Sequence, residues 1–405
     1  MPITFRQATL PNGLTVIAEV DPDAHTAAAG FFVRTGARDE DTPVMGVSHF
    51  LEHMMFKGSE RRNAEQVNEG FDDLGAEHNA FTSGEVTAFW AHTLPEKLSD
   101  ATDILADILR PALRQADFDE EKGVILEEIA MYDDQPFWVL YEHAMEAYYG
   151  SHPLGHRVLG TNESITALTR DQMKSYFDHR YAADNTVLAL AGRLDFDAMT
   201  AHATKLCGGW ERTNPRRAYP EVAGTRPTVE VPFPKASRHY ELMAMPAPAV
   251  QDDDRYAAAL IAEILGDVDG SRLYWALVEP GLAEEAQAQY EGRDRDGVMF
   301  VYFVCPTEDA PKAREVALTE LRGLADSLTE DDLLRARSKI ATSVTLAGER
   351  PAGRMRRLGH LWVSTGRYES LDDDLRRIES LTMDDLRRVL QAYPLEPRTV
   401  ASLRP

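Results

Sequence analysis

The stretch His49-Phe50-Leu51-Glu52-His53 is the most informative part of this chain, because it places two imidazoles four residues apart with a carboxylate between them. On an α-helix, residues i and i+4 lie on one face, so the two imidazoles converge on one point and Glu52 lies on the same side. Such a set can hold a zinc ion and supply the general base of a hydrolase. A simpler alternative is that both are core histidines bonded to the backbone.

The residues around this stretch predict a short buried helix. Thr42-Pro43 is typical of a helix start, since proline is favoured at the first helical position, and Lys57-Gly58 is typical of a helix end. About four turns fit between these signals. The remaining residues of the segment are apolar nearly all round, which predicts burial on several sides.

A zinc hydrolase needs a third protein ligand, and the best source is residues 118–132. This segment reads as a helix capped by Asp117, with an apolar stripe along one side. At about 100° per residue, Glu121 and Glu128 flank the stripe, whereas Glu127 falls on the opposite face. Two half-buried carboxylates need a cation or hydrogen-bond donors, so helix geometry favours Glu128 over its neighbour. The alternative is a solvated, glutamate-rich helix surface.

The arrangement resembles the pitrilysin (M16) metallopeptidases, which carry the reversed zinc motif His-x-x-Glu-His. Glu128 follows His53 by 75 residues, with Glu121 seven positions before it. The resemblance is to short family members such as the mitochondrial processing peptidase subunits and bacterial zinc peptidases. It implies a peptide substrate, Zn2+ as the cofactor held by His49, His53 and Glu128, Glu52 as the catalytic base, and Glu121 as a supporting catalytic acid. The matching segments are Leu10–Leu14, 47–58, 75–82, 124–131, 152–155 and 160–161, and the match extends to Gly192.

Chain length and an internal repeat predict two domains. At 405 residues the chain exceeds one ordinary core. Residues 165–171 recur, in part, as residues 378–384. The polar, proline-rich region between the repeats predicts a zinc-binding domain over 1–213, a linker over 214–228 and a homologous domain over 229–405.

The predicted fold class is α+β, in which each domain has a mainly antiparallel sheet with helices packed on one face, as in the family. The second half has no His-x-x-Glu-His, and Ser343 falls near the position that a repeat of Glu128 would take. We therefore expect only the first half to bind the metal.

Composition limits the classes of partner and compartment. A formal net charge of -24 argues against a nucleic-acid partner and favours neutral or basic peptides. No stretch has the features of a signal peptide or a membrane-spanning helix, which predicts a soluble, cytoplasmic protein with no membrane association. Cys207 and Cys305 are too few for a disulfide framework and predict ordinary thiols.

A β-hairpin is predicted next to the zinc helices. Residues 77–82 and 86–93 alternate like paired strands around Ser83-Gly84-Glu85. An edge strand there could bind an extended peptide through its backbone. Asn79-Ala80-Phe81-Thr82 matches the family's strand of that role, so the resemblance implies these four as substrate-binding residues. From the pattern alone, the phenylalanines of the hairpin could equally be core residues.

One departure from the family concerns the second half. Many members carry an Arg and a Tyr there that are thought to bind substrate and stabilise the transition state, whereas this chain has Leu277 and Glu284 at those positions. An ionised carboxylate cannot donate a hydrogen bond to an oxyanion. We therefore expect a homologous M16 subunit to supply the pair in a heterodimer. The alternatives are a self-sufficient homodimer, with Tyr290 as a substitute donor, or a non-catalytic structural subunit.

Overall fold

The fold is given by a computed structural model, which describes residues 3–220, 222 and 227–405. The predicted linker, 214–228, includes Glu221 and residues 223–226, which lie outside the described residues. The strands are β1 Thr4–Thr9, β2 Thr15–Val20, β3 Ala27–Val33, β4 Glu77–Thr82, β5 Thr87–Thr93, β6 Thr186–Gly192, β7 Thr228–Pro232, β8 His239–Pro246, β9 Glu285–Arg293, β10 Asp296–Cys305 and β11 Thr399–Arg404. The α-helices are α1 Val47–Phe56, α2 Ala64–Asp73, α3 Leu98–Ile108, α4 Gln115–Asp133, α5 Pro136–Tyr149, α6 Asn162–Ala167, α7 Arg170–Arg180, α8 Phe196–Cys207, α9 Arg255–Gly266, α10 Ala310–Ser327, α11 Glu330–Gly348, α12 Pro351–Thr365, α13 Leu371–Ser380 and α14 Met383–Ala392.

The chain forms two compact units that are discontinuous in sequence. The first extends to Ala130 and includes His156–Ala218 and Leu346–Tyr368. The second comprises Met131–Gly155, Tyr219–Thr345 and Glu369–Pro405. The predicted domains, 1–213 and 229–405, are continuous, whereas each unit takes one segment from the other half of the chain.

The first unit is built on a six-stranded sheet in the order β1-β2-β6-β3-β5-β4, in which β2 and β6 are parallel and the other pairs are antiparallel. Every residue of β3 and β6 is buried. Strands without an exposed side must be covered on both faces. Helices α1 and α3 contribute to the core on one face, and α12 covers the other. Helix α12 lies so close that a Cβ on Gly359 would stand 2.2 Å from the ring of Phe32.

The second unit repeats this plan with a five-stranded sheet in the order β7-β11-β8-β10-β9, in which only β7 and β11 are parallel. Helices α9, α10 and α14 pack on one face and α5 on the other. The predicted α+β class with mainly antiparallel sheets is confirmed. The structure adds one helix on the second face of each sheet, which the buried central strands require.

The predicted repeat corresponds to one structural motif in each unit. Thr169 caps α7 and Thr382 caps α14, in each case through a hydrogen bond from the third helical residue. The strand that follows is β6 in the first unit and β11 in the second, and each pairs in parallel with one neighbour. Within the described part of the chain, no helix combines the length and apolar character needed to cross a bilayer.

Candidate metal centre

Helix α1, which carries the histidine pair, begins later than predicted. Thr42–Val44 is a separate 3-10 turn, and α1 begins at Val47 after Gly46, whose φ of 91° is in the left-handed region that favours glycine. The predicted start at Thr42-Pro43 was therefore wrong, because Gly46 redirects the chain between the turn and the helix. The predicted end is correct: Lys57 is the C-cap residue, followed by Gly58 at φ 102°.

Helix α4 supplies the carboxylates. It begins at Gln115, so Asp117 lies inside the first turn and the prediction that it caps the helix was wrong. Glu121 is buried with the apolar stripe, the side chain of Glu128 is about one quarter exposed at 25%, and Glu127 is exposed. The structure thus places Glu121 and Glu128 on the side of α4 that faces α1.

Three potential ligand atoms from α1 and α4 converge on one point. Oε2 of Glu128 lies 3.7 Å from Nε2 of His49 and 3.5 Å from Nε2 of His53. Zinc bonds of about 2.0–2.2 Å put two tetrahedral ligand atoms about 3.3–3.6 Å apart. The two separations from Glu128 are close to that range, and all three ligand atoms lie within 4.8 Å of one another. His49, His53 and Glu128 could therefore hold a zinc ion together, which would leave one of four coordination positions for a small ligand. Among the described residues, this is the one such cluster of three.

Glu121 orients one of these histidines. Its Oε1 lies 2.9 Å from Nδ1 of His53, and its Oε2 lies 2.5 Å from Nζ of Lys57. Burial alone would raise the pKa of Glu121, but hydrogen bonds from Lys57 and His53 outweigh burial and lower it. An ionised carboxylate at Nδ1 leaves Nε2 of His53 free to bind a metal. The sequence indicated Lys57 only as part of the helix end and gave no expectation of its ion pair with Glu121, although Lys57 lies four residues after His53 and so on the same helix face.

The protonation of His49 also suits a metal ligand. Burial and the neighbouring imidazole of His53 together lower the pKa of His49 to about 4. The neutral imidazole is the form that binds metals. Nδ1 of His49 is buried and has no hydrogen-bond partner among the described residues, in contrast to Nδ1 of His53.

Glu52 lies beside the cluster and is fixed by the sheet. Oγ1 of Thr82, in β4, donates a 2.6 Å hydrogen bond to Oε2 of Glu52. Burial raises the pKa of Glu52, and the bond from Thr82 partly opposes that rise. A carboxylate with a raised pKa is suited to accept a proton near neutral pH. A cavity of about 320 Å³ adjoins Glu52 and His53 and is also lined by Phe56, Lys57, Ala64, Asn68 and Glu121.

The predicted substrate strand is β4, an edge strand that pairs with β5 alone. Its side chains alternate. Thr82 and Ala80 lie on the face towards α1, whereas Phe81 points the other way and meets His360 of α12 edge-on at 6.3 Å. Asn79 accepts a hydrogen bond from the backbone of Ala80. The four predicted residues therefore share a strand but not a face, and Thr82 alone bonds to a residue of the metal centre.

At positions 277 and 284, the second unit does not have the Arg and Tyr that many members of the resembling family carry. Leu277 is fully buried in the core, and Glu284 forms an ion pair with Arg238. The hydroxyl of Tyr290 donates a 2.8 Å bond to the carbonyl oxygen of Pro248, so this donor is already engaged. Ser343 is the fourteenth residue of the 19-residue helix α11, just as Glu128 is the fourteenth of the 19-residue helix α4.

Known proteins share both the sequence and the fold of this chain. Residues 15–162 match the insulinase family of peptidases, M16, and residues 167–340 match the M16 inactive domain. A Mycobacterium tuberculosis relative, named an uncharacterized zinc protease, is 32% identical over 392 residues, which cover 95% of this chain and 89% of the relative. A Bacillus subtilis relative, also named an uncharacterized zinc protease, is 27% identical and covers 99% of this chain, with 98% of its own length matched.

Among solved structures, a protease from Helicobacter pylori has the same fold, with a TM-score of 0.92 at 20% identity and full coverage of both chains. The predicted family resemblance is confirmed by the matches over both halves. This chain belongs to the M16 family of peptidases.

Proposed function

We propose that this chain is a zinc-dependent endopeptidase that hydrolyses peptides or unfolded protein segments. The observation that carries the proposal is the convergence of His49, His53 and Glu128 beside the carboxylate of Glu52. Family membership and the zinc-protease names of the relatives support peptide hydrolysis. The prediction of Zn2+ as the cofactor is confirmed by those names together with the His-His-Glu cluster.

Each residue of the site has a defined task in this proposal. Zinc, when bound, polarises water and the peptide carbonyl. Glu52 accepts a proton from the attacking water and delivers it to the leaving amine, as a general base and then a general acid. Thr82 keeps Glu52 directed at the cluster. Glu121, whose negative charge is balanced by Lys57, holds the imidazole of His53 in the ligating tautomer.

Substrate binding is proposed along β4. The strand has an edge without a strand partner in the described chain, and Thr82 links it to Glu52. An extended peptide added there would bind mainly through backbone hydrogen bonds, which give affinity with loose sequence preference. We propose Asn79, Ala80, Phe81 and Thr82 as the segment that contacts it, through their backbone groups rather than through one common side-chain face.

A homologous M16 subunit is proposed as the partner. Leu277 is buried and apolar, and Glu284 is anionic and paired, so neither can donate to a developing oxyanion. A partner that carries an Arg and a Tyr at these positions would supply the missing donors. A homodimer remains the second candidate, although the hydroxyl of Tyr290 is already bonded to Pro248.

The test is peptidase activity with matched metal analysis. Purified chain is assayed on unfolded peptides after zinc loading and after chelation, alone and with the homologous subunit. Activity that follows zinc content supports the proposal. A zinc-loaded chain that cleaves no peptide in either setting would contradict it and favour a structural subunit.

A further inference from the structure

A buried glutamate outside the metal centre caps the helix that carries its histidines. Glu40 is 3% exposed and lies just after the 3-10 turn Ala37–Asp39. Its Oε2 accepts a 2.7 Å bond from the backbone N-H of Gly46, and its Oε1 accepts a 2.8 Å bond from the N-H of Ser48. The N-H of Ser48 belongs to the first turn of α1, where backbone donors have no acceptor within the helix.

The usual solution for such donors is missing here. A Ser, Thr, Asp or Asn at the N-cap normally accepts from them, but the N-cap residue of α1 is Gly46, which has no side chain. Glu40, six residues earlier, takes over that role from a neighbouring segment. Because the helix start is buried, an unpaired N-H there would be costly.

A second polar contact fixes the same turn. Oγ of Ser48 lies 2.8 Å from the hydroxyl of Tyr176, which lies 2.7 Å from Oγ1 of Thr35. Ser48 directly precedes His49 in the sequence. The backbone and the side chain at this position are therefore both anchored, one by Glu40 and the other by Tyr176.

Residues 36–40, the segment that contains Glu40, also contact the turn between β4 and β5. The N-H of Arg38 donates a 2.8 Å bond to the carbonyl of Gly84, and the guanidinium of Arg38 lies 2.5 Å from Oε1 of Glu85. A Cβ on Gly36 would stand 2.4 Å from the carbonyl oxygen of Ser83. Residues 36–40 thus contact both the start of α1 and the turn next to Thr82.

We propose that Glu40 is a positioning residue of the metal centre, which sets the axial position and rotation of α1 and thereby the Nε2 atoms of His49 and His53 relative to Glu128. Glu40 touches neither metal ligand nor substrate and acts through the helix. The inference rests on the proposed zinc site, but its test needs no peptidase activity. It concerns ligand geometry, which the metal itself reports.

The experiment compares Glu40→Gln with a matched control, Glu19→Gln, in the full chain loaded with Co2+ or Zn2+. The amide nitrogen of glutamine cannot accept, so Glu40→Gln leaves the backbone N-H of either Gly46 or Ser48, at the start of α1, without its acceptor. Glu19 is also buried in the first unit, where it bonds to Arg354 and Tyr368 in a separate polar group. Tyr176→Phe, which keeps the ring, serves as a milder second variant.

The expected result for Glu40→Gln is a shift of the visible cobalt bands and about tenfold weaker zinc retention against a chelator. This is the lower end of the range for residues that hydrogen-bond a metal ligand directly, because Glu40 acts through the helix. Tyr176→Phe should change the cobalt bands and the zinc retention in the same direction but less. Glu19→Gln should lower the unfolding temperature and leave both of these metal measurements at wild-type values. Cobalt spectra and zinc retention that stay at wild-type values in Glu40→Gln would overturn the inference, whatever Tyr176→Phe does. A wild-type chain that binds no metal would instead refute the zinc site itself.

Discussion

Oγ1 of Thr82 donates a 2.6 Å hydrogen bond to Oε2 of Glu52, and this bond joins the edge strand β4 to the histidine-bearing helix α1. Any peptide bound along β4 would therefore contact the strand that orients the proposed base. In the proposed binding mode, the position of the substrate and the position of Glu52 would be coupled through the side chain of Thr82.

Removing this donor should change the pH dependence of catalysis. Burial raises the pKa of Glu52 and Thr82 opposes that rise, so Thr82→Val should raise the pKa further. The acid limb of the kcat/KM profile should move to higher pH, so that the variant loses more activity at acid pH than at alkaline pH. Thr82→Ser, which keeps the hydroxyl, is the control. An equal loss for Thr82→Val at every pH would contradict the assignment.

Metal retention should distinguish two adjacent glutamates. Glu128→Gln removes an anionic ligand and should cost most of the zinc, whereas Glu127→Gln alters an exposed side chain and should leave about one zinc per chain. Elemental analysis after gel filtration measures the difference. Equal loss from both variants would refute the helix-face argument.

The periodicity of α4 was sufficient to separate Glu128 from Glu127, because a 3.6-residue repeat fixes which side of a helix a residue occupies. The hairpin around Ser83 was predictable for the same kind of local reason, since strand alternation and turn residues are adjacent in the sequence. The repeat of residues 165–171 as residues 378–384 was also visible in the sequence, and the structure shows that its two threonines, Thr169 and Thr382, cap α7 and α14.

Features that depend on distant residues were not predictable. The start of α1 is set by Gly46 together with Glu40, which lies outside the helix. The bond from Thr82 to Glu52 joins residues 30 positions apart. Helices α5 and α12 each cover the second face of a sheet. The pattern of a single sequence does not indicate which sheet such a helix will cover. In each case a tertiary contact decides the outcome.

The metal-free protein should lose stability in mildly acidic solution because of His49. Its pKa is about 4 in the folded state and about 6.5 when unfolded, so the unfolded state takes up a proton first as the pH falls. This contribution is fully present above pH 6.5 and is lost towards pH 4, on the order of 2 kcal/mol between about pH 7 and 5. Denaturant unfolding after chelation measures it, and His49→Gln should show a smaller pH slope. An unchanged slope would mean that His49 takes up its proton over the same pH range in the folded and unfolded states, so that its pKa is not lowered by folding.

The partner proposal predicts low activity for the chain alone. A homologous subunit with the Arg and Tyr should raise peptide cleavage by about a hundredfold or more, because the loss of one oxyanion donor can cost that much. A subunit in which that Arg and Tyr are replaced by Leu and Glu is the control and should give no increase. Full activity from the isolated chain, unchanged by the partner, would favour the homodimer.

The proposed function depends most on proton transfer by Glu52 at a zinc site formed by His49, His53 and Glu128. The most direct test measures zinc content and peptide turnover together in Glu52→Gln, in whichever assembly gives the wild type its highest activity. We expect about one zinc per chain and a turnover at least about a hundredfold lower than that of the wild type, the range for a lost general base. A zinc-loaded Glu52→Gln enzyme that cleaves peptide at the wild-type rate would contradict it.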